Sequence, residues 1–212
     1  MKNDKIVVGI TQGDINGISY EIIIKTLLDQ RMIDFCIPVV YGSPKVAAYH
    51  RKALNINNFS LNNITKADDC NPKRPNIINC CDDSIRVELG KSTTQAGEAS
   101  FSALKLAVRD LQESKVDVLV TAPFNKFNMQ SKDFSFPGHT EYLQAEFNVE
   151  DAIMLMVSDY LKVGVVTGHV PMNQVPGLIK KDTVVSKINV LNKSLIEDFG
   201  IRKPRIAVLS LN

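Results

Sequence analysis

The chain has 212 residues, 44% of them hydrophobic and 23% charged, with 25 basic against 23 acidic side chains for a net charge of +2. That length buries a substantial core without disulfide staples, and the composition excludes a disordered or fibrous chain. So even a charge balance gives no electrostatic basis for binding nucleic acid or an anionic membrane, which leaves small molecules as the expected partners.

The N-terminus, MKNDKIVVGITQGD, has an apolar run that begins at Ile6 and stops at Thr11, too short for a signal peptide, and no run reaches membrane-spanning length. The expected location is the cytoplasm. Lys5 to Ile10 reads as a strand that feeds the loop TQGDINGISYE and a helix from about Ile18. Phe35 to Tyr41 is a second strand, Gly42-Ser43-Pro44 its turn, and VAAYHRKAL the next helix. Both strands are apolar throughout rather than alternating, which predicts a parallel sheet covered on both faces. Asn55 to Lys73 reads as an irregular connection with one short strand, and Asn76 to Cys80 as another strand. Cys36, Cys70, Cys80 and Cys81 show neither a CxxC pair nor zinc spacing, and the adjacent pair would close a strained ring, so reduced thiols are expected.

Ala99, Leu104, Ala107, Val108 and Leu111 recur at helical spacing and predict a helix over Thr93 to Ser114, followed by a buried strand over Val116 to Thr121. After a long polar loop, a helix is expected from Thr140 to Phe147. The apolar runs AIMLMV and KVGVVTG, separated by Ser158-Asp159-Tyr160-Leu161, predict a hairpin. Asp182 is the expected cap of a helix that stops at Gly200, and Arg205 to Leu211 reads as a buried strand. The alternation of strands and helices gives an α/β class. In that scheme the element after Leu211 would be a loop and a covering helix, so the sequence reads equally as part of something longer or as a chain closing on a core strand.

Three histidines are available for chemistry. His50 sits among Ala47, Ala48, Arg51 and Lys52, an ordinary surface or half-buried helical position. His139 follows Pro137-Gly138 and opens a helix, where free N–H groups attract a phosphate or carboxylate; a plain turn and cap is the alternative. His169 ends the run VGVVTGH, and the carboxyl end of a strand suits a metal or a substrate oxygen, although one histidine does not make a metal site. TQGDING has the position of a glycine-rich phosphate loop but matches neither GxGxxG nor GxxxxGK[ST], and a tight turn explains it equally. In TAPFNK, Thr121, Asn125 and Lys126 follow a strand and offer polar groups to an anion.

Taken in order, TQGDINGISYE, TAPFNK, FPGHTEYL, VVTGHVPM and RIAVLSLN resemble the 4-hydroxythreonine-4-phosphate dehydrogenase family of pyridoxal phosphate biosynthesis. The resemblance runs from Ile6 to Asn212, with Asn55 to Lys91 too generic to contribute, and Ser19-Tyr20-Glu21 stands where the family has Gly-Pro-Glu. It implies a three-layer α/β/α fold like that of isocitrate and isopropylmalate dehydrogenases, with two domains and a cleft. Those domains are expected at 1–125 and 126–212. It also implies NAD- or NADP-dependent oxidation and decarboxylation of 4-phosphohydroxy-L-threonine in a homodimer whose site lies at the interface. The related alternatives are a D-threonate or D-erythronate 4-phosphate dehydrogenase and a non-catalytic module that binds a phosphorylated ligand.

By the resemblance, His139 and Thr140 bind substrate, Lys126 and Asp14 are catalytic candidates, and Thr11, Gly13 and Gly17 complete the N-terminal loop. His169 corresponds to the first of three histidines that hold a divalent metal (zinc, cobalt or magnesium). The family continues beyond the LN pair with Pro-His-Ala-Gly, so these residues alone are expected to be an inactive fragment.

Overall fold

The computed structural model describes residues 5–210. Backbone contacts divide the chain into a first unit up to Tyr142 and a second from Leu143. Residues 126–142, expected in the second domain, thus group with the first.

The first unit runs β1 (Ile6–Thr11), α1 (Ser19–Leu27), α2 (Gln30–Phe35), β2 (Cys36–Gly42), α3 (Pro44–Ala53), β3 (Asn62–Ile64), β4 (Asn76–Asn79), α4 (Thr94–Gln112), β5 (Val118–Thr121) and α5 (Lys126–Met129). Helix α6 (His139–Glu146) crosses the division. Local chemistry sets the helix starts. Ser43 accepts a hydrogen bond from the Val46 N–H with Pro44 in the first turn of α3, Thr93 does the same for Ala96 in α4, and Asp29 caps α2. The six-residue α2 is not visible in the sequence, because QRMIDF is too short to show a period.

The five strands are parallel in the order β3-β4-β2-β1-β5. Strand β2 is buried at every residue, as its unbroken apolarity predicts. Val40 packs with Tyr20 and Ile24 of α1 and Val46 of α3, whereas Val39 and Tyr41 pack with Ala103 and Ala107 of α4. Helices therefore cover both faces. Fully buried side chains such as Ile24 and Ile77 stabilise this arrangement by roughly 1.5–3 kcal/mol each.

Several buried polar side chains of this unit are paired, whereas Asp110 Oδ1 and Asn128 Nδ2 are buried without a hydrogen-bond partner. The wholly buried Gln12 amide donates to the Ala99 carbonyl (2.9 Å) and the Cys81 thiol (3.1 Å), and its oxygen accepts from the Tyr20 hydroxyl (2.7 Å) and the Ser43 N–H (3.0 Å). His50 is buried rather than superficial: it stacks on Tyr20 at 5.4 Å, and its Nε2 lies 2.7 Å from the Ile15 carbonyl oxygen. The sequence could not show this, because Ile15 belongs to a loop far along the chain. The four cysteines are free, as expected, and burial raises the pKa of each thiol.

The second unit contains the antiparallel hairpin β6 (Met154–Val157) and β7 (Lys162–Val165), then α7 (Val175–Leu178) and α8 (Lys181–Glu197). Asp151 accepts from Ser186 and Lys187, tying α8 to the chain before β6. Helix α8 starts one residue before Asp182, which is not its cap; the carboxylate lies in the first turn, where the helix dipole favours it. Gly200 ends the segment at φ +66. Residues 205–210 form no strand. Their backbone groups find no ladder among the described residues, and Arg205, Ile206, Ala207, Val208 and Leu209 instead line a cavity of about 450 Å³ with β7 and α8. Leu211, the end of the expected strand, lies outside the described residues.

Candidate active site in the first unit

Strand β1 pairs with β2 on one side and with β5 on the other, so the strand order reverses between β1 and β5. The carboxyl ends of two strands at such a point splay their loops apart, and ligands of open α/β sheets gather there. Here the loops are TQGDING after β1 and TAPFNK after β5. They touch: the Asp14 N–H donates to the Pro123 carbonyl (2.9 Å), and the Ser19 hydroxyl donates to the same oxygen (2.5 Å). Gly13 makes this approach possible, since it has φ +62 and a Cβ there would lie 2.2 Å from the Pro123 oxygen.

The half-buried Asp14 accepts the Asn16 N–H at its Oδ1 (2.9 Å), while the Gly17 N–H donates to the Asp14 carbonyl (3.3 Å). The N–H groups of Asp14, Asn16 and Gly17 are thereby engaged, and TQGDING forms a strand-to-helix turn rather than an open phosphate cradle. Asn16 also receives the Glu88 N–H and donates to the Lys91 carbonyl and the Thr93 hydroxyl, pinning the segment ahead of α4.

On the β5 side, Asn125 caps α5 by accepting from the Phe127 N–H (2.9 Å), and its amide donates to Ser92 (3.2 Å). Asn125, expected to offer a polar group to an anion, thus uses its amide oxygen and one amide N–H in holding the loop. Lys126 follows it, exposed at the start of α5. Its ammonium lies over Gly138, 3.9 Å from where a Cβ on that glycine would stand.

His139 opens α6, half-buried, with its ring against Phe124 at a centroid distance of 4.0 Å and a tilt of 41°. Burial first, and the nearby Lys126 charge second, push its pKa down to about 4. At neutral pH the imidazole is therefore uncharged, with one donor and one acceptor nitrogen, while Lys126 supplies the positive charge. Thr140 is exposed in the same first turn.

The start of α6 is held by a cluster of rings. Phe134 meets Phe101 of α4 at 5.4 Å and Tyr142 of α6 at 5.6 Å, and Phe136 meets Tyr142 at 5.4 Å. Neither this cluster nor Phe124 was singled out from sequence, although FSFPGHTEY places three aromatic residues around GHT and was the available signal.

His169 belongs to the second unit. It is exposed, in a bend beyond β7, which ends at Val165 rather than continuing to the histidine. Among the described residues, no three His, Cys, Asp or Glu side chains gather in a way that could hold a metal ion. The described residues thus do not complete a metal site around His169.

A family model, Pyridoxal phosphate biosynthetic protein PdxA, matches residues 34–212. The chain belongs to this family. A PdxA relative from Bacteroides thetaiotaomicron, named 4-hydroxythreonine-4-phosphate dehydrogenase, is 46% identical across the whole chain, which covers 58% of that relative. A relative from Oceanobacillus iheyensis, 33% identical over 98% of the chain and covered to 63%, is named as a provisional D-threonate 4-phosphate dehydrogenase. The crystal structure of a 4-hydroxythreonine-4-phosphate dehydrogenase from Burkholderia phymatum is similar with a TM-score of 0.82 at 28% identity, over 96% of this chain and 62% of that one. The chain thus spans about three fifths of the length of these PdxA relatives.

Proposed function

We propose that the polypeptide carrying this chain is an NAD- or NADP-dependent dehydrogenase that oxidises the C3 hydroxyl of 4-phosphohydroxy-L-threonine. The resulting β-keto acid loses carbon dioxide to leave 3-amino-2-oxopropyl phosphate. The observation that carries this reading is the grouping of Lys126, His139 and Thr140 beyond β5, at the reversal of strand order. Lys126 would meet anionic charge on the substrate, neutral His139 and Thr140 would hydrogen-bond and orient it, and a bound nicotinamide would supply the hydride acceptor. Asp14 orders the neighbouring loop through Asn16. In this reading His169 supplies one imidazole to a divalent ion (zinc, cobalt or magnesium), which needs further ligands from outside the described residues. The working form is a cytoplasmic homodimer.

Oxidation of D-threonate 4-phosphate is the second reading, favoured by the name of the Oceanobacillus relative. Side-by-side turnover of the two phosphates by the polypeptide as its gene encodes it, followed as NADH or NADPH formation, decides between them. In that protein Lys126→Met and His139→Asn are each expected to lower kcat/KM by about 10²-fold or more. Absence of turnover with both phosphates and both cofactors, in the presence of a divalent metal, would overturn the proposal.

A further inference from the structure

We infer that Phe124 is a positioning residue: it clamps the His139 imidazole in one orientation beside Lys126, so that ligand anions are met by the lysine while the histidine acts through directed hydrogen bonds. This deepens the proposed function and rests on it. The ring of Phe124 packs on the imidazole at 4.0 Å between centroids, and the two residues belong to separate segments, one leaving β5 and the other opening α6. The contact is rigid from both sides. Asn125 fixes the backbone next to Phe124 through the α5 cap, and the rings of Phe101, Phe134 and Tyr142 fix the first turn of α6.

A phenyl face against the imidazole also keeps water from it. The depressed pKa of His139 has burial as its first cause, in agreement with that arrangement. The charged groups beside it are Lys126 of α5 and, on its own helix, Glu141, whose carboxylate approaches Gly138. Removing the phenyl ring would let water reach the imidazole and let the side chain turn, without altering the charge at Lys126 or Glu141.

The test is made in the polypeptide as its gene encodes it, with Phe124→Ala, Phe124→Leu and Phe124→Tyr. The imidazole of His139 is followed by NMR across pH, and the affinity for 4-phosphohydroxy-L-threonine is measured at neutral pH. Phe124→Ala is expected to move the His139 titration up by about one pH unit and to weaken binding roughly 3- to 10-fold. Phe124→Tyr restores both, because the ring face is kept. Phe124→Leu keeps apolar bulk and folding but not the ring, and falls between the two. If the wild type binds the phosphate and the folded alanine and leucine variants leave both the titration and the affinity unchanged, the positioning role is overturned. If the wild type binds no phosphorylated acid, the proposed function fails, and the NMR titration still judges the clamp by itself.

Discussion

Gln12 shows how much one buried residue can organise in this chain. Its side chain joins the end of β1 to α1, β2 and α4, and all of its hydrogen-bonding capacity is used. Gln12→Leu would remove these four hydrogen bonds from the core while the Ser43 N–H keeps the Tyr20 hydroxyl (2.9 Å), so a loss of about 2 kcal/mol is expected in chemical denaturation. His139 carries a pH dependence. Its folded pKa of about 4 lies below the ordinary 6.5, so between those values the unfolded chain binds the proton and the folded chain does not. The stability from keeping the ring neutral is complete above about pH 6.5 and is lost as pH falls toward 4. After allowance for its partial exposure, about 1–2 kcal/mol is expected to disappear between pH 7 and pH 4.5 in the wild type, and not in His139→Gln. Equal losses in the two proteins would contradict the assignment.

At the scale of elements, the decisive contacts are those that hold α5 and α6 to α4. Gly97 of α4 lies so close to α5 that a Cβ would fall 1.8 Å from the Asn128 oxygen. Alanine favours helices over glycine by about 1 kcal/mol, yet Gly97→Ala should destabilise by roughly 2 kcal/mol, because the clash with fixed backbone outweighs propensity. It should also displace Lys126, seen as weaker phosphate binding alongside the lower melting temperature. Phe134, fully buried at the centre of the ring cluster, makes the companion case. Phe134→Ala is expected to cost about 3–5 kcal/mol, with Phe134→Leu markedly milder. Thermal melts of the two variants read that difference.

For the whole molecule, the two units differ in how much core they hold. The first has a parallel sheet with helices on both faces and two clusters of buried side chains, although Val118 and Val120 of the edge strand β5, expected to be buried, are exposed. In the second, among the described residues, Leu195 alone is buried, and Met156, Val157 and Val163 of the hairpin are exposed. Residues 1–148, which retain all of α6, are therefore expected to fold cooperatively by themselves, and residues 149–212 are not, since so little apolar surface leaves water to offset chain entropy. Circular dichroism melts of the two pieces give the check; a sharp transition in the shorter piece would contradict it.

Much of this was legible in the amino-acid order. The unbroken apolar run FCIPVVY dictated a buried parallel strand, and the period of α4 dictated its extent, because these features depend on neighbours within a few positions. The motifs around His139 and Lys126 named candidate residues by the same local logic. Tertiary structure decided what those residues face. It buried His50 under Tyr20, used Asn125 as a cap, brought Phe124 onto His139, and left 205–210 without a ladder. Each of these outcomes depends on groups far apart in sequence, or on partners that must be in place before a strand can form, and local pattern carries no record of either.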